Sequence, residues 1–277
     1  EEVSLEIKSL TEQIHDLAGS IFNINSPKQL GSILFEVLEL PHGKKTKTGY
    51  STDENVLESL KNDHSIVPLL LQYREYHKLF STYIEPLIAL AKRDQSSRIY
   101  TSFVQTGTAT GRLSSKNPNL QNIPVKTSLG QRIREAFIAS EGKLLIGIDY
   151  SQIELRLLAH FSNDSVLVNA FQMDRDIHME TAIALFDAFI HCWDAKYVND
   201  AKEKGYVETL LKRRRNFDFA TATPMLKAAY EREAVNTVFQ GSASDLIKLS
   251  MNEIQLIIES EKLKGKMLLQ IHDELVF

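Results

Sequence analysis

The hydrophobic period of the chain changes near residue 98, and that break decides which folds are open to it. Up to about residue 95 the apolar residues recur at helical spacing. Val3, Leu5, Ile7, Leu10, Ile14 and Leu17 fall roughly on one face, with Gly19 as a stop. Ser26-Pro27 opens a second helix running to Leu38, because proline's missing N–H costs nothing in a first turn. A polar, basic loop over 41–49 follows, and Ser51 with Glu54 three residues on resembles a capping box for a third helix over 52–62. Leu69, Tyr73, Tyr76, Leu79, Phe80 and Tyr83 mark a long helical segment over 65–93, which Pro86 kinks or ends.

Beyond the break the pattern is mixed. Residues 98–106 alternate and read as a strand, and 107–130, rich in Gly, Ser, Thr, Asn and Pro, read as a long ordered loop of the kind that carries function. Residues 143–148 (KLLIGI) read as a short buried strand, followed by a helix over 151–161. Helices near 225–260, a strand over 267–271, a polar corner at His272-Asp273-Glu274 and the run Leu275-Val276-Phe277 complete the chain. Helices first, then strands with helices, predict an α+β protein with a helical region over 1–96 and a sheet-containing region over 97–277.

Composition narrows the function classes. With 32 basic and 36 acidic residues the formal charge is −4, so no global basic field exists to coat a nucleic acid, although local basic patches around an acidic centre remain possible. A single cysteine, Cys192, rules out an internal disulfide framework and fits a reducing compartment. The opening Glu1-Glu2 lacks the basic-then-apolar order of a signal peptide, and no apolar run approaches the ~20 residues of a membrane span. A cytoplasmic protein without a membrane partner is expected.

Two acidic positions stand out. Asp149 ends the run KLLIGI, and Asp273 with Glu274 interrupts MLLQI…LVF. A carboxylate at the end of a buried strand is poorly hydrated and needs a partner. Mg²⁺, held by one or two carboxylates plus substrate phosphates, is a natural one, and two such aspartates at one sheet edge frame a two-metal phosphoryl-transfer site. Taken alone, Asp149 could instead cap the following helix, and His272-Asp273 could be an ordinary tight turn.

The surrounding text decides between them. TGRLSS over 110–115, PNLQNIP over 118–124, DYSQIELR over 149–156, QGSASD over 240–245 and HDELVF over 272–277 occur in this order. Together they resemble the family A DNA polymerases, with DYSQIELR and HDELVF matching motifs A and C. The resemblance spans nearly the whole chain and implies a right-hand architecture, with a helical thumb over 1–96 and an antiparallel-sheet palm over 97–277. It also implies template-directed addition of deoxynucleotides to a primer 3′-hydroxyl, in replication or repair, by a monomeric, bacterial, nucleoid-associated enzyme.

Position by position, the resemblance makes Asp149 and Asp273, with the carbonyl of Tyr150, the ligands of two Mg²⁺ ions, with Glu274 as an acidic neighbour of less defined role. It makes Glu154 the sugar gate that excludes a 2′-hydroxyl, and His178 a contact to the incoming triphosphate. Arg112 matches an arginine that tests a minor-groove acceptor at the primer end. Asn119, Gln121 and Asn122 lie in a loop that follows the duplex, and Arg232, Asn236 and Gln240, four apart, share one helix face at the primer–template junction. Lys44, Lys45 and Lys47 correspond to the thumb tip. These, with Lys126, Arg132, Arg134 and the run 212–215, can neutralise phosphates, although a solubilising surface remains the alternative for any one cluster.

The sequence also departs from the family. Only 26 residues separate His178 from Gly205, so the fingers helix with its triphosphate-gripping Arg and Lys is absent, and a remnant of the fingers is expected near 179–204. Residues 187–198 have no clear counterpart, and Phe277 falls inside a hairpin strand, so the sequence is expected to be part of a longer polymerase. A catalytically deficient fragment that binds primer–template DNA is therefore the rival to an active polymerase, and an unrelated metal phosphohydrolase would leave TGRLSS and QGSASD unexplained.

Overall fold

The structure is a computed structural model that describes residues 1–42, 49–125, 127–173 and 196–277. It divides into two compact units, one of Glu1–Ile99 with Ile123–Ala136, the other of Tyr100–Asn122 with Phe137–Phe277.

The first unit is helical. Helix α1 (Glu2–Ala18) ends at Gly19, whose φ of 67° is the left-handed stop that glycine adopts without strain. Its buried stripe is Leu10, Ile14 and Ala18, four apart and turned to helix α4 (Ile66–Leu79). Leu5, expected on that stripe, is 68% exposed: five residues before Leu10 it sits about 140° round the helix. Helix α2 (Pro27–Ser32) starts where the sequence placed it, with the Ser26 side chain accepting from the Gln29 N–H, and runs on as a π-helical turn over Ile33–Val37.

Helix α3 (Glu54–Ser59) is shorter than expected and capped differently. Asp53, not Ser51, accepts from the Val56 N–H at 2.9 Å, while the Ser51 hydroxyl donates to Asp53 Oδ2 at 2.6 Å. A charged acceptor next to the helix outcompetes the hydroxyl two residues back. Pro86 neither ends nor breaks the next segment. Helix α4 widens into a π-helical turn over Phe80–Ile84 and resumes as α5 (Glu85–Ala91), with Pro86 in its first turn, where no N–H is required. Helix α6 (Ser128–Glu135), capped by Thr127, completes the unit. Leu30, Leu34, Leu57, Ile66 and Leu70 form its fully buried centre.

Among its described residues the second unit holds three small antiparallel sheets and four helices. Strands β1 (Ser102–Val104) and β2 (Ser114–Lys116) pair, so the stretch read as one irregular loop contains a strand, and it ends in helix α6. Strand β3 (Gly147–Asp149) pairs with β7 (Glu274–Val276), which pairs with β6 (Leu269–Ile271), in the order β3-β7-β6. His272 and Asp273 form the two-residue connection, His272 with the positive φ that such a tight hairpin requires. The run over 143–148 is not a buried strand. Only its end joins β3, at the sheet edge, and Leu144 is 82% exposed. Apolar character alone does not reveal whether a strand is central or at an edge.

Helices α7 (Ile153–Ser162), α8 (Ser165–Gln172) and α9 (Val198–Lys204) and the hairpin of β4 (Tyr206–Glu208) and β5 (Arg214–Asn216) pack with helix α10 (Pro224–Ser260). Leu157, Leu158, Leu167, Ala201, Val207, Val235 and Val238 are buried among them. The region near 225–260 is thus one 37-residue helix, about 55 Å long, started by the Thr223 cap and Pro224. Among the described residues no helix is long and apolar enough to cross a membrane.

Leu70→Ala is expected to cost about 3 kcal/mol by opening a cavity in the centre of the first unit, measurable by urea unfolding.

Candidate functional site

The β3–β7 pairing sets Asp149 directly opposite Glu274. The Tyr150 N–H donates to the Asp273 carbonyl at 3.2 Å, which brings the turn beside the end of β3. Asp149, Asp273 and Glu274 therefore gather at one end of the sheet. The capping reading of Asp149 fails: helix α7 begins at Ile153 behind Gln152, and no side chain caps it. Gly147 makes room for this arrangement, since a Cβ there would run into Glu274 Oε1.

Like charges directly opposite in a sheet repel. Asp273 Oδ1 is buried and has no hydrogen-bond partner. Both observations fit a hard cation with a preference for oxygen ligands, and Mg²⁺ is content with two carboxylates when substrate phosphates complete its shell. Among the described residues no group of three or more His, Cys, Asp or Glu is placed to hold a metal ion, so Asp149, Asp273 and Glu274 do not converge as one three-residue ligand set. Arg112 supplies positive charge here. Its Nη2 pairs with Glu154 Oε1 and lies 3.7 Å from Asp273 Oδ1, while its Nε is buried without a partner. Glu154 stands in the first turn of α7, which Ile153, Leu157 and Leu158 anchor in the core. The Tyr150 hydroxyl meets Ser250 Oγ on α10 at 2.6 Å.

The other sequence-predicted residues divide. Arg232 and Asn236 are exposed on one face of α10, with Gln240 half-buried below them and Ala234, Val235 and Val238 on the core side. Asn119 and Asn122 are exposed, and Asn119 Oδ1 accepts from the Gln121 N–H at 3.0 Å. Gln121 faces inward instead. Its Oε1 accepts from the Ser115 N–H at 3.0 Å and its Nε2 donates to Gln270, to the carbonyl and to Oε1, at 3.0 Å each. Its amide therefore ties the 113–121 loop to β6. Lys44, Lys45, Lys47 and His178, like Lys126, lie outside the described residues.

The basic run 212–215 does not form a free phosphate-binding strip. Arg213 pairs with Asp245 at 2.9 Å, Arg214 with Glu208 at 2.8 Å, Arg215 with Glu233, and Lys212 with Glu208 at 3.6 Å. Arg132 likewise forms a two-pronged pair with Glu2, at 3.1 and 2.8 Å. Gln270 and Asp245, missed by sequence reasoning, carried a signal in being polar within apolar stretches; both are buried.

The hydrogen bond from Arg214 holds the Glu208 carboxyl below its ordinary range. Its contribution to the hairpin is complete above a pH of about 4.3 and is lost as pH falls through the depressed value. An NMR titration of Glu208 is expected to show this lowered midpoint, with Arg214→Gln returning it towards the ordinary value.

Comparison with known proteins adds the following. The family model for DNA polymerase family A matches residues 1–196 and 188–277. The chain is 43% identical to DNA polymerase I of Bacillus subtilis (strain 168) over 331 aligned positions, covering 100% of the chain and 38% of that protein. It is 44% identical over 330 positions to the thermostable DNA polymerase I of Thermus aquaticus, covering 99% of the chain and 39% of the relative. These alignments are longer than the chain, so the relatives carry positions it lacks, and the family match breaks in two around 188–196. A solved structure, the POL domain of Pol1 from M. smegmatis in complex with DNA primer-template and dNTP, superposes with a TM-score of 0.89 at 35% identity, covering 100% of this chain and 58% of that one.

Proposed function

Because the chain belongs to DNA polymerase family A, we propose that its second unit adds deoxynucleotides to the 3′-hydroxyl of a primer paired to a template. The observation that carries this is the set of carboxylates at the end of the β3–β7 pair, with Arg112 and Glu154 beside them. Asp149, Asp273 and the Tyr150 carbonyl are the groups that would hold two Mg²⁺ ions. The orphaned Asp273 Oδ1 and the opposed Asp149 and Glu274 support that assignment. When bound, the ions would acidify the primer hydroxyl and neutralise charge developing on the triphosphate.

The protein's own residues do the positioning. Glu154, in the first turn of α7, would be the carboxylate that fills the space of a 2′-hydroxyl. Arg112 is long enough to leave its acidic partners for a minor-groove acceptor of the terminal base pair, an atom common to correctly paired bases. The exposed Arg232 and Asn236 on α10, and Asn119 and Asn122 in the preceding loop, offer donors to a primer–template duplex. Gln121 orders that loop through Ser115 and Gln270 and would help present it to the duplex. His178 would approach the triphosphate, and Lys44, Lys45 and Lys47 the duplex backbone. The protein would act as a monomer on chromosomal DNA in the cytoplasm.

A second reading has its own support. The break in the family match at 188–196, with the longer alignments of the relatives, favours a protein that binds primer–template DNA but lacks the fingers' grip on the triphosphate. Primer extension with Mg²⁺ and deoxynucleotides, alongside equilibrium binding of the same duplex, separates the two. Extension is the expected result; tight binding with no extension would select the deficient fragment.

In an extending protein, Asp149→Ala and Asp273→Ala should each lower the extension rate by roughly two to three orders of magnitude while duplex binding persists. Retained activity in either would sink the metal-ligand assignment. Glu154→Ala should raise ribonucleotide incorporation relative to deoxynucleotide in single-turnover assays.

A further inference from the structure

A polar network behind Arg112 ties its loop to the core of the second unit. Arg213, between the β4 and β5 strands, turns its side chain inward. Its Nε donates to Asp245 Oδ1 at 2.9 Å, and its Nη2 donates to the carbonyls of Thr110 at 2.6 Å and Gly241 at 3.2 Å. Asp245 is 8% exposed, and its other oxygen accepts from the Thr209 hydroxyl.

Two glycines let the guanidinium through. A Cβ at Gly111, whose φ is +80°, would lie 2.7 Å from the guanidinium carbon. A Cβ at Gly241 would lie 2.9 Å from Nη2. The next carbonyl, that of Gly111, accepts from Ser244 Oγ at 2.7 Å and from Lys248 Nζ. The two carbonyls immediately before Arg112 are thus fixed by side chains from the hairpin and from α10.

We propose that Arg213 is a positioning residue for Arg112: it locks the 110–111 backbone so that the Arg112 guanidinium is delivered to the carboxylate end of the sheet and, with DNA bound, to the minor groove of the primer-terminal pair. The inference rests on the polymerase reading above. A planar guanidinium is needed, because it can serve the Asp245 carboxylate and two backbone carbonyls at once; a lysine keeps the charge beside Asp245 but not the fork. This separates positioning from simple neutralisation of a buried acid.

The test is equilibrium binding of two DNA primer–templates that differ only at the primer 3′ end, 2′-deoxyguanosine against 3-deaza-2′-deoxyguanosine, which lacks the minor-groove N3 acceptor. The wild-type protein should lose about tenfold in affinity on the deaza end. Arg112→Ala should bind both alike. Arg213→Lys should cut the discrimination to within about twofold, and the double variant should match Arg112→Ala. Full tenfold discrimination in a folded Arg213→Lys, or no discrimination in the wild type, would overturn the proposal. If Arg213→Lys does not fold, Lys248→Met, which removes another hold on the Gly111 carbonyl, should reduce the discrimination; an unchanged ratio there would also overturn it. A wild-type protein that binds neither duplex would instead refute the polymerase reading.

Discussion

The antiparallel pairing of β3 with β7 sets two acidic residues, Asp149 and Glu274, opposite each other at the end of the sheet, where like charges repel. The register of β3 on β7 is what imposes it, because a slip by one residue would turn Asp149 and Glu274 to opposite faces. The pairing continues past the strands, with Ile146 and Phe277 exchanging both backbone bonds. Leu275 and Gln270 bury the middle of the sheet. Negative charge at the end of the sheet is therefore opposed by an ordinary hydrogen-bonded ladder, and Arg112 brings positive charge to the neighbouring Glu154 and Asp273.

The loop that carries Arg112 is irregular, yet it is held firmly at several points. Gln121 fastens one end to β6, and Arg213, Ser244 and Lys248 fasten the backbone around Gly111. An irregular segment has no ladder of its own to satisfy its carbonyls, so side chains from neighbouring elements do it. Rigidity of this kind is what a site needs if one arginine must reach a single acceptor atom on a base.

Local signals in the sequence translated well where chemistry acts over a few residues. Gly19, the Ser26-Pro27 start and the His272-Asp273 turn are each read from one or two residues. So were the two acidic strand ends, because their contrast with adjacent apolar residues is itself local, whereas Glu154 was singled out only through the family resemblance. What escaped depends on distant partners. Asp53 displaced Ser51 as a cap by a small local margin, but the exposure of Leu144 follows from β3 lying at a sheet edge, which no period reveals. Nothing near Gln121 in the sequence announced Gln270, 149 positions away, as its partner. The run 212–215 looked like a phosphate strip because charge counts do not show that Asp245 and Glu233 lie within reach. Tertiary partners decide whether a polar side chain is outward equipment or internal fastening.

Helix α10 has a consequence of its own. Along one unbroken rod it carries the exposed Arg232 and Asn236, the small Gly241 that Arg213 passes, then Asp245, Lys248 and the Ser250 that meets Tyr150. Each of these is aimed by the same rotational phase, which advances about 100° per residue. Substitutions can be absorbed one side chain at a time, whereas a single inserted residue would turn every later contact away from its partner together. The helix is thus a shared angular reference for the loop, the hairpin and the carboxylate end of the sheet, and its length is under tighter constraint than its composition.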